Sequence, residues 1–439
     1  MRALLFYVCL PLIAGIGLWR PFWGLAVYLA ANIIRPEMLF WGSDTGALIF
    51  KVSIGSALLG FMMSSESKTA PFAVRELWLM LWISLAVTMS VVLADLPTSP
   101  KTWGYVQEFY TLALVCWLLI GTVQKKEQAI QLADILLFMM TLLALWGWEQ
   151  SFRGNERLEG MSSAFGDSNG LAAVGVLFLP LALHKLFTAD KRWQKIFGLN
   201  AAIAIAGMIV FTNSRGGFLG LAAGSLYLLL ISPKRKWLGL GYFVVFLAAT
   251  PLLSDAYMNR LSTIDTDQEQ LDYSSGSRLV LWRAGYLVFQ DHPIFGVGLL
   301  NFAQAKIPYQ SQLAGQFDDG LLDFAFRPYK AGHSTWFGQM LPEGGLFLAI
   351  PMIWLIVGFF WRTYKLRGAY PPTEETRSFH DALIGLEAGL FGFYVSISFI
   401  DALLNPFLAI QVVLGVQFIR IIEGTAATPP ISRQGGNIR

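Results

Sequence analysis

His333 stands in AGHSTWFGQMLPEGG, residues 331–345, just ahead of a long apolar run and ten residues before Glu343 and two glycines. An imidazole with its ordinary pKa of about 6.5 suits proton transfer near neutrality. A satisfied histidine at a membrane interface is the bland alternative. Arg215 occupies a short turn, FTNSRGG, where a cation would lie beside the N–H groups that open the next helix, and the two together make a site for an anion. Snorkelling toward lipid headgroups competes with that reading. In SSGSRLVLWRAGYLVFQDHPIFGVGLLNF, residues 274–302, Ser275 or Ser277 predicts a cap for a helix over 278–290. Its apolar positions are Leu279, Trp282, Tyr286 and Phe289, and Arg278 falls in its first turn, where the helix dipole disfavours a cation unless an anion is near. HPIFGVG ends that helix in a Gly-rich turn, in which His292 suits a turn or capping role. Glu343 enters the apolar run after His333, a position where a carboxylate is costly unless it is paired or used. Asp318 and Asp319 in FDDG suit a solvated turn better than a metal site.

The elements that must position these groups are dictated by composition. Of 439 residues, 55% are hydrophobic and 14% charged, with mean hydropathy +0.53, which leaves too few polar groups to clothe a water-soluble fold. Runs of about 17–25 apolar residues are what a membrane-crossing helix requires, because lipid offers the backbone no hydrogen-bond partner. Such runs fall near 47–63, 76–95, 106–122, 128–149, 168–187, 195–212, 216–232, 237–253, 335–361, 382–400 and 402–422. Residues 4–34 hold one span or two, split at Arg20-Pro21. About 12 crossings are expected in an all-α polytopic membrane protein. The expected organisation is ten transmembrane helices over 1–253, a loop domain with amphipathic helices over 254–334, further transmembrane helices over 335–422, and a disordered cytoplasmic tail over 423–439.

Basic residues gather at 125–126, 189–195, 233–236 and 362–377, and counting spans puts all four loops on one side, the cytoplasm by the positive-inside rule. His184 and His380 then lie on that side, whereas His292, His333, Arg215 and Arg278 face the other. The first residues carry a signal-like charge and apolar length without a convincing cleavage site, so a retained helix is expected. Cys9 and Cys116 fall in apolar spans and offer no disulfide framework or metal spacing. A net charge of +3, spread over loops, argues against nucleic acid as a partner. A transporter should place ionisable groups at membrane depth, and Lys51, Glu387 and Gln411 are the few candidates.

Four segments together carry a resemblance: RLEGMSSAFGDSNGLA at 157–172, FTNSRGGFLGL at 211–221, SRLVLWRAGYLVFQDHPIFGVGLLNF at 277–302 and GHSTWFGQMLPEGGLF at 332–347. In order and spacing they resemble the membrane glycosyltransferase superfamily of O-antigen ligases, O-antigen polymerases and pilin O-oligosaccharyltransferases. The whole chain resembles, within it, the O-glycosylation ligases that accompany exosortase-type systems. The resemblance implies a GT-C-type fold in the bacterial inner membrane with its active site facing the periplasm. It implies a glycan donor on undecaprenyl diphosphate, an acceptor that is lipid A core, protein or growing polysaccharide, and no cofactor, metal or nucleotide sugar. The family's catalytic histidine maps onto His333 and its diphosphate-binding arginines onto Arg215 and Arg278. Arg157, Asn169, Arg283, His292 and Glu343 are candidates for substrate contact or support. Ser334 departs from the asparagine that many members carry after the histidine. Polymerase, protein O-oligosaccharyltransferase and glycolipid flippase are the alternatives.

Overall fold

The computed structural model describes residues 2–35, 48–64, 71–154, 158, 167–241, 273–403 and 405–427. Among these the secondary structure is helical, with one isolated bridge between Ala314 and Phe317. The long helices are α1 Arg2–Trp19, α2 Pro21–Ile34, α3 Leu48–Met63, α4 Arg75–Val92, α5 Pro100–Thr122, α6 Lys126–Phe152, α7 Ser168–Thr188, α8 Arg192–Phe211, α9 Arg215–Ile231, α10 Tyr273–Asp291, α11 Leu341–Ala369, α12 Arg377–Ser396 and α13 Phe407–Ala427. Eight described helices are long and apolar enough to cross a membrane, and four shorter apolar ones accompany them. The expected span at 237–253 and the tail over 428–439 lie largely outside the described residues. Arg20 splits residues 4–34 into two helices, with Pro21 at the first position of α2, where a missing N–H costs nothing.

Helix α7 lies deepest, against α8, α9 and α12. The seam between α9 and α12 is made of glycine: a Cβ on Gly220 would come 2.5 Å from the Gly392 carbonyl oxygen, and one on Gly224 3.2 Å from Gly392 Cα. In lipid, where apolar burial drives helix association weakly, such backbone contact supplies the packing.

The basic loops meet at one end of the bundle. Lys126 Nζ donates to the Glu375 carbonyl, and Lys234 and Asp190 both act through space on Asp381. Nearby carboxylates are paired. Glu387 accepts from Tyr227 Oη at 2.6 Å, Thr363 Oγ1 at 2.7 Å and Arg367 Nη1 at 2.6 Å, while Glu76 accepts from Arg75 and Arg362 at 2.9 and 3.1 Å. Glu387, read in the sequence as a carrier candidate, is held by a fixed network.

At the opposite end, α10 and the short helices over 302–325 build a small second core from Val280, Leu281, Ala284, Val288, Phe302, Leu313 and Leu322. Helix α10 begins at Tyr273 rather than 278, so Ser275 and Ser277 lie within it and Arg278 stands in its second turn. Its Val280–Leu281–Ala284–Val288 face is buried on the small core; of the expected apolar stripe, Leu279 and Tyr286 are exposed, while the Trp282 ring lies 6.0 Å from Phe337 and 5.9 Å from Phe399.

HPIFGVG and PEGG interlock. Gly345, at φ 61° and ψ −164°, interrupts α11 in a conformation that essentially only glycine adopts. The carbonyls released there accept Val297 N–H (to Pro342 O, 2.9 Å) and Gly298 N–H (to Glu343 O, 3.2 Å). In return, Leu346 N–H and Phe347 N–H donate to Pro293 O and Ile294 O at 2.8 and 3.0 Å. Four backbone bonds thus lock the end of α10 to the start of α11.

Candidate active site

Between the interlock and α12 runs a strap, residues 330–340. Gly332 and Gly338 touch so closely that a Cβ on Gly332 would lie 2.1 Å from Gly338 Cα, which folds the strap back on itself. It is zipped to residues 398–403. Thr335 Oγ1 donates to Ile400 O at 2.9 Å and accepts from Ala402 N–H at 3.0 Å; Trp336 Nε1 donates to Ser398 Oγ at 2.8 Å; Leu403 N–H donates to Gln339 Oε1 at 3.0 Å. Ser334 Oγ caps the following turn by accepting Phe337 N–H at 3.2 Å. Lys306, fully buried, donates from Nζ to the Lys330 carbonyl and so pins the other end. Burial, followed by the Lys330 charge, brings the Lys306 ammonium down to about 8 against an opposing pull from Asp401.

His333 sits at the bend of this strap with φ 49°, a left-handed conformation uncommon outside glycine. That geometry turns two successive N–H groups toward one point, where Asp401 receives both: His333 N–H to Oδ2 at 3.1 Å and Ser334 N–H to Oδ1 at 3.2 Å. His333 Nδ1 lies 4.0 Å from Asp401 Oδ2, an ion-pair separation rather than a hydrogen bond. Burial lowers the His333 pKa; Asp401 and Asp167 oppose that shift, and Arg278 and Lys330 reinforce it. The net effect favours the neutral imidazole. Burial raises the Asp401 carboxyl, while the imidazole and the two backbone N–H groups pull it back.

His333, Asp401 and Arg278 line one cavity of about 680 Å³, together with Asp167, Asn169 and residues from α2, α3, α5 and α13. Asp167 caps α7, accepting Asn169 N–H and Gly170 N–H at 3.0 and 3.2 Å, and also accepts Asn169 Nδ2 at 2.6 Å. Asn169 Oδ1 in turn accepts Ser214 Oγ at 2.8 Å, and Ser214 caps α9 by accepting Gly217 N–H at 3.0 Å. Arg215 is the first residue of α9, directly beyond this chain of bonds and outside the cavity lining.

The other sequence candidates disperse. Arg283 is exposed, with its guanidinium 5.5 Å from the Tyr286 ring, and His292 sits in the interlocking turn. Glu343 is buried away from the cavity, accepting Phe302 N–H at 3.3 Å through Oε1 and Ser90 Oγ through its carbonyl. Arg157 lies outside the described residues. Asp318 caps a short helix by accepting Leu321 N–H at 3.0 Å. Asp401 was absent from the sequence reading, although it is the sole carboxylate between Glu387 and Glu423 in an otherwise apolar stretch.

Residues 200–327 match a family model described as O-antigen ligase. That match supports the O-antigen ligase superfamily. Residues 1–189 match a family of unknown function. No curated protein matches the sequence. The O-antigen ligase match supports a membrane glycosyltransferase activity of the O-antigen ligase and polymerase type. The matched segment includes Arg215 and Arg278, whereas His333 and Asp401 lie C-terminal to it.

Proposed function

We propose that this protein transfers a glycan from an undecaprenyl-diphosphate carrier to an acceptor hydroxyl on the periplasmic face of the bacterial inner membrane, with inversion at the anomeric carbon. The carrying observation is that His333, Asp401 and Arg278 line a common cavity in a chain that matches this family model. The acceptor oxygen forms a bond to the anomeric carbon and yields its proton to His333. The bond from that carbon to the diphosphate oxygen breaks, and undecaprenyl diphosphate leaves with the electron pair. Glycosyl–diphosphate cleavage supplies the driving force, so no nucleotide, metal or cofactor is called for.

Each residue acts where charge develops. General-base removal of the proton contributes roughly 100- to 10,000-fold. Asp401, 4.0 Å from Nδ1, steadies the imidazolium that results. Arg278 stabilises the departing diphosphate, a charge-assisted contact of about 1.5–3 kcal/mol, or roughly ten- to hundredfold in rate. Arg215, placed beyond Asn169 and Ser214, serves the same leaving group from the rim. In a ligase the acceptor is terminal, such as lipid A core or protein; in a polymerase it is another lipid-linked repeat.

Purified protein given an undecaprenyl-diphosphate oligosaccharide should release undecaprenyl diphosphate as an acceptor is glycosylated. His333→Ala, Arg278→Ala and Arg215→Ala should insert and fold yet lose transfer. Full activity in His333→Ala would overturn the general-base assignment.

A further inference from the structure

The catalytic groups line part of the cavity. Further lining comes from α2, α3 and α5, within the segment that matches a family of unknown function. Helix α2 presents Tyr28 and Asn32, four residues apart on one face, and Arg35 follows as its left-handed cap at φ 53°. Helix α5 presents Tyr105 and Glu108, three apart, and α3 adds Lys51. Arg35 acts electrostatically on both Tyr28 and Glu108, and its guanidinium lies 5.6 Å from the Phe50 ring, against which Tyr28 packs edge-on at 5.8 Å. The cations, the carboxylate and the aromatic rings thus form one continuous surface.

The make-up of that surface is specific. Arg35, Lys51 and Arg278 are balanced in the lining by Glu108, Asp167 and Asp401, so the cavity as a whole is not a basic sink for a polyanion. A diphosphate fits poorly beside Glu108, which would repel it, and belongs at the Arg278 end. A sugar bearing one carboxylate fits the mixture: the carboxylate meets Arg35 and Lys51, hydroxyls donate to Glu108, and the apolar ring face lies on Tyr28 or Tyr105. Glu108 lies in α5, a helix long and apolar enough to cross a membrane, where a carboxylate normally pairs or serves a site.

We infer that the α2–α3–α5 wall is the acceptor subsite and that it selects an acidic glycan, a uronic-acid residue being the simplest ligand of that class. This rests on the transferase reading above, because it is the acceptor hydroxyl that must reach His333 from this side.

The test measures binding rather than turnover, using the full-length protein in detergent with trigalacturonic acid, neutral maltotriose and undecaprenyl diphosphate as separate probes. Trigalacturonic acid should bind about tenfold or more tightly than maltotriose, as expected for loss or gain of one charge-assisted contact. Lys51→Gln should remove that preference, Lys51→Arg should keep it, and Lys51→Glu should reverse it, with undecaprenyl diphosphate affinity unchanged in all three. His333→Ala should bind all three probes like the parent. Lys51 is exposed on the cavity wall, so these variants should elute as folded protein. Equal affinity for the acidic and neutral trisaccharides, or a Lys51→Gln defect confined to undecaprenyl diphosphate, would overturn the assignment. Loss of all transfer activity in the parent protein would count against the transferase reading while leaving the binding comparison legible.

Discussion

Asp401 holds His333 through the backbone and faces its ring at ion-pair distance, and these two contacts separate in a pH profile. A base acts in its neutral form, so transfer should fall as pH drops through the His333 pKa. Asp401→Asn removes an attraction that favours the imidazolium, so that pKa moves lower and the acid limb of the rate profile shifts to lower pH, with a reduced plateau. Lys330→Gln removes a repulsion, raises the pKa, and moves the limb to higher pH with the plateau largely kept. Initial rates of undecaprenyl diphosphate release between about pH 5 and 9 would read both shifts; movement in the same direction would refute the assignment. His333 and Arg278 were legible as candidates, from polar groups at the margins of apolar runs together with the resemblance, and the structure brings both to one cavity. Asp401 was not, because DALLNPF reads as the seam between two spans, and only the fold shows that its carboxylate meets a bend 68 residues earlier.

Among the elements, the interlock of PEGG with HPIFGVG sets the angle between the helix bearing Arg278 and the helix that follows His333. Gly345→Ala would force a side chain into a glycine-only conformation and place Cβ about 2.4 Å from the Ile294 carbonyl oxygen. The conformational part alone costs on the order of 1–3 kcal/mol. A lower thermal unfolding midpoint, with transfer lost in proportion, is expected from differential scanning fluorimetry of the detergent-solubilised protein. Gly392→Leu should be worse, since a Cβ there lies 2.6 Å from Gly220 O and would part α9 from α12. Helix positions were legible to within a few residues because lipid demands long apolar runs. The interruption at Gly345 was hidden, because two glycines in such a run look the same whether they serve packing or a break. The Val280–Leu281–Ala284–Val288 face of α10 was hidden for a related reason: the short helices that cover it are gathered beneath it only by tertiary contact.

For the whole molecule, the basic loops gather at one end and the cavity is lined by residues near the other ends of α2, α5 and α7, so orientation can be measured directly. In a variant without Cys9 and Cys116, a cysteine replacing Asp318 should react with a membrane-impermeant maleimide in spheroplasts. A cysteine replacing Glu374 should react only after permeabilisation. Reversal of that pattern would place the cavity on the cytoplasmic side and end the proposed use of a periplasmic acceptor.

The zipper between the strap and residues 398–403 also bears on how the protein comes to life at the ribosome. His333 is translated 68 residues before Asp401, and the loop that holds Asp401 is fixed at its far side by the final helix. A nascent chain that stops short of that helix carries its base on an unclasped segment. The clasp on His333 should therefore form late and abruptly, only once α13 has left the translocon.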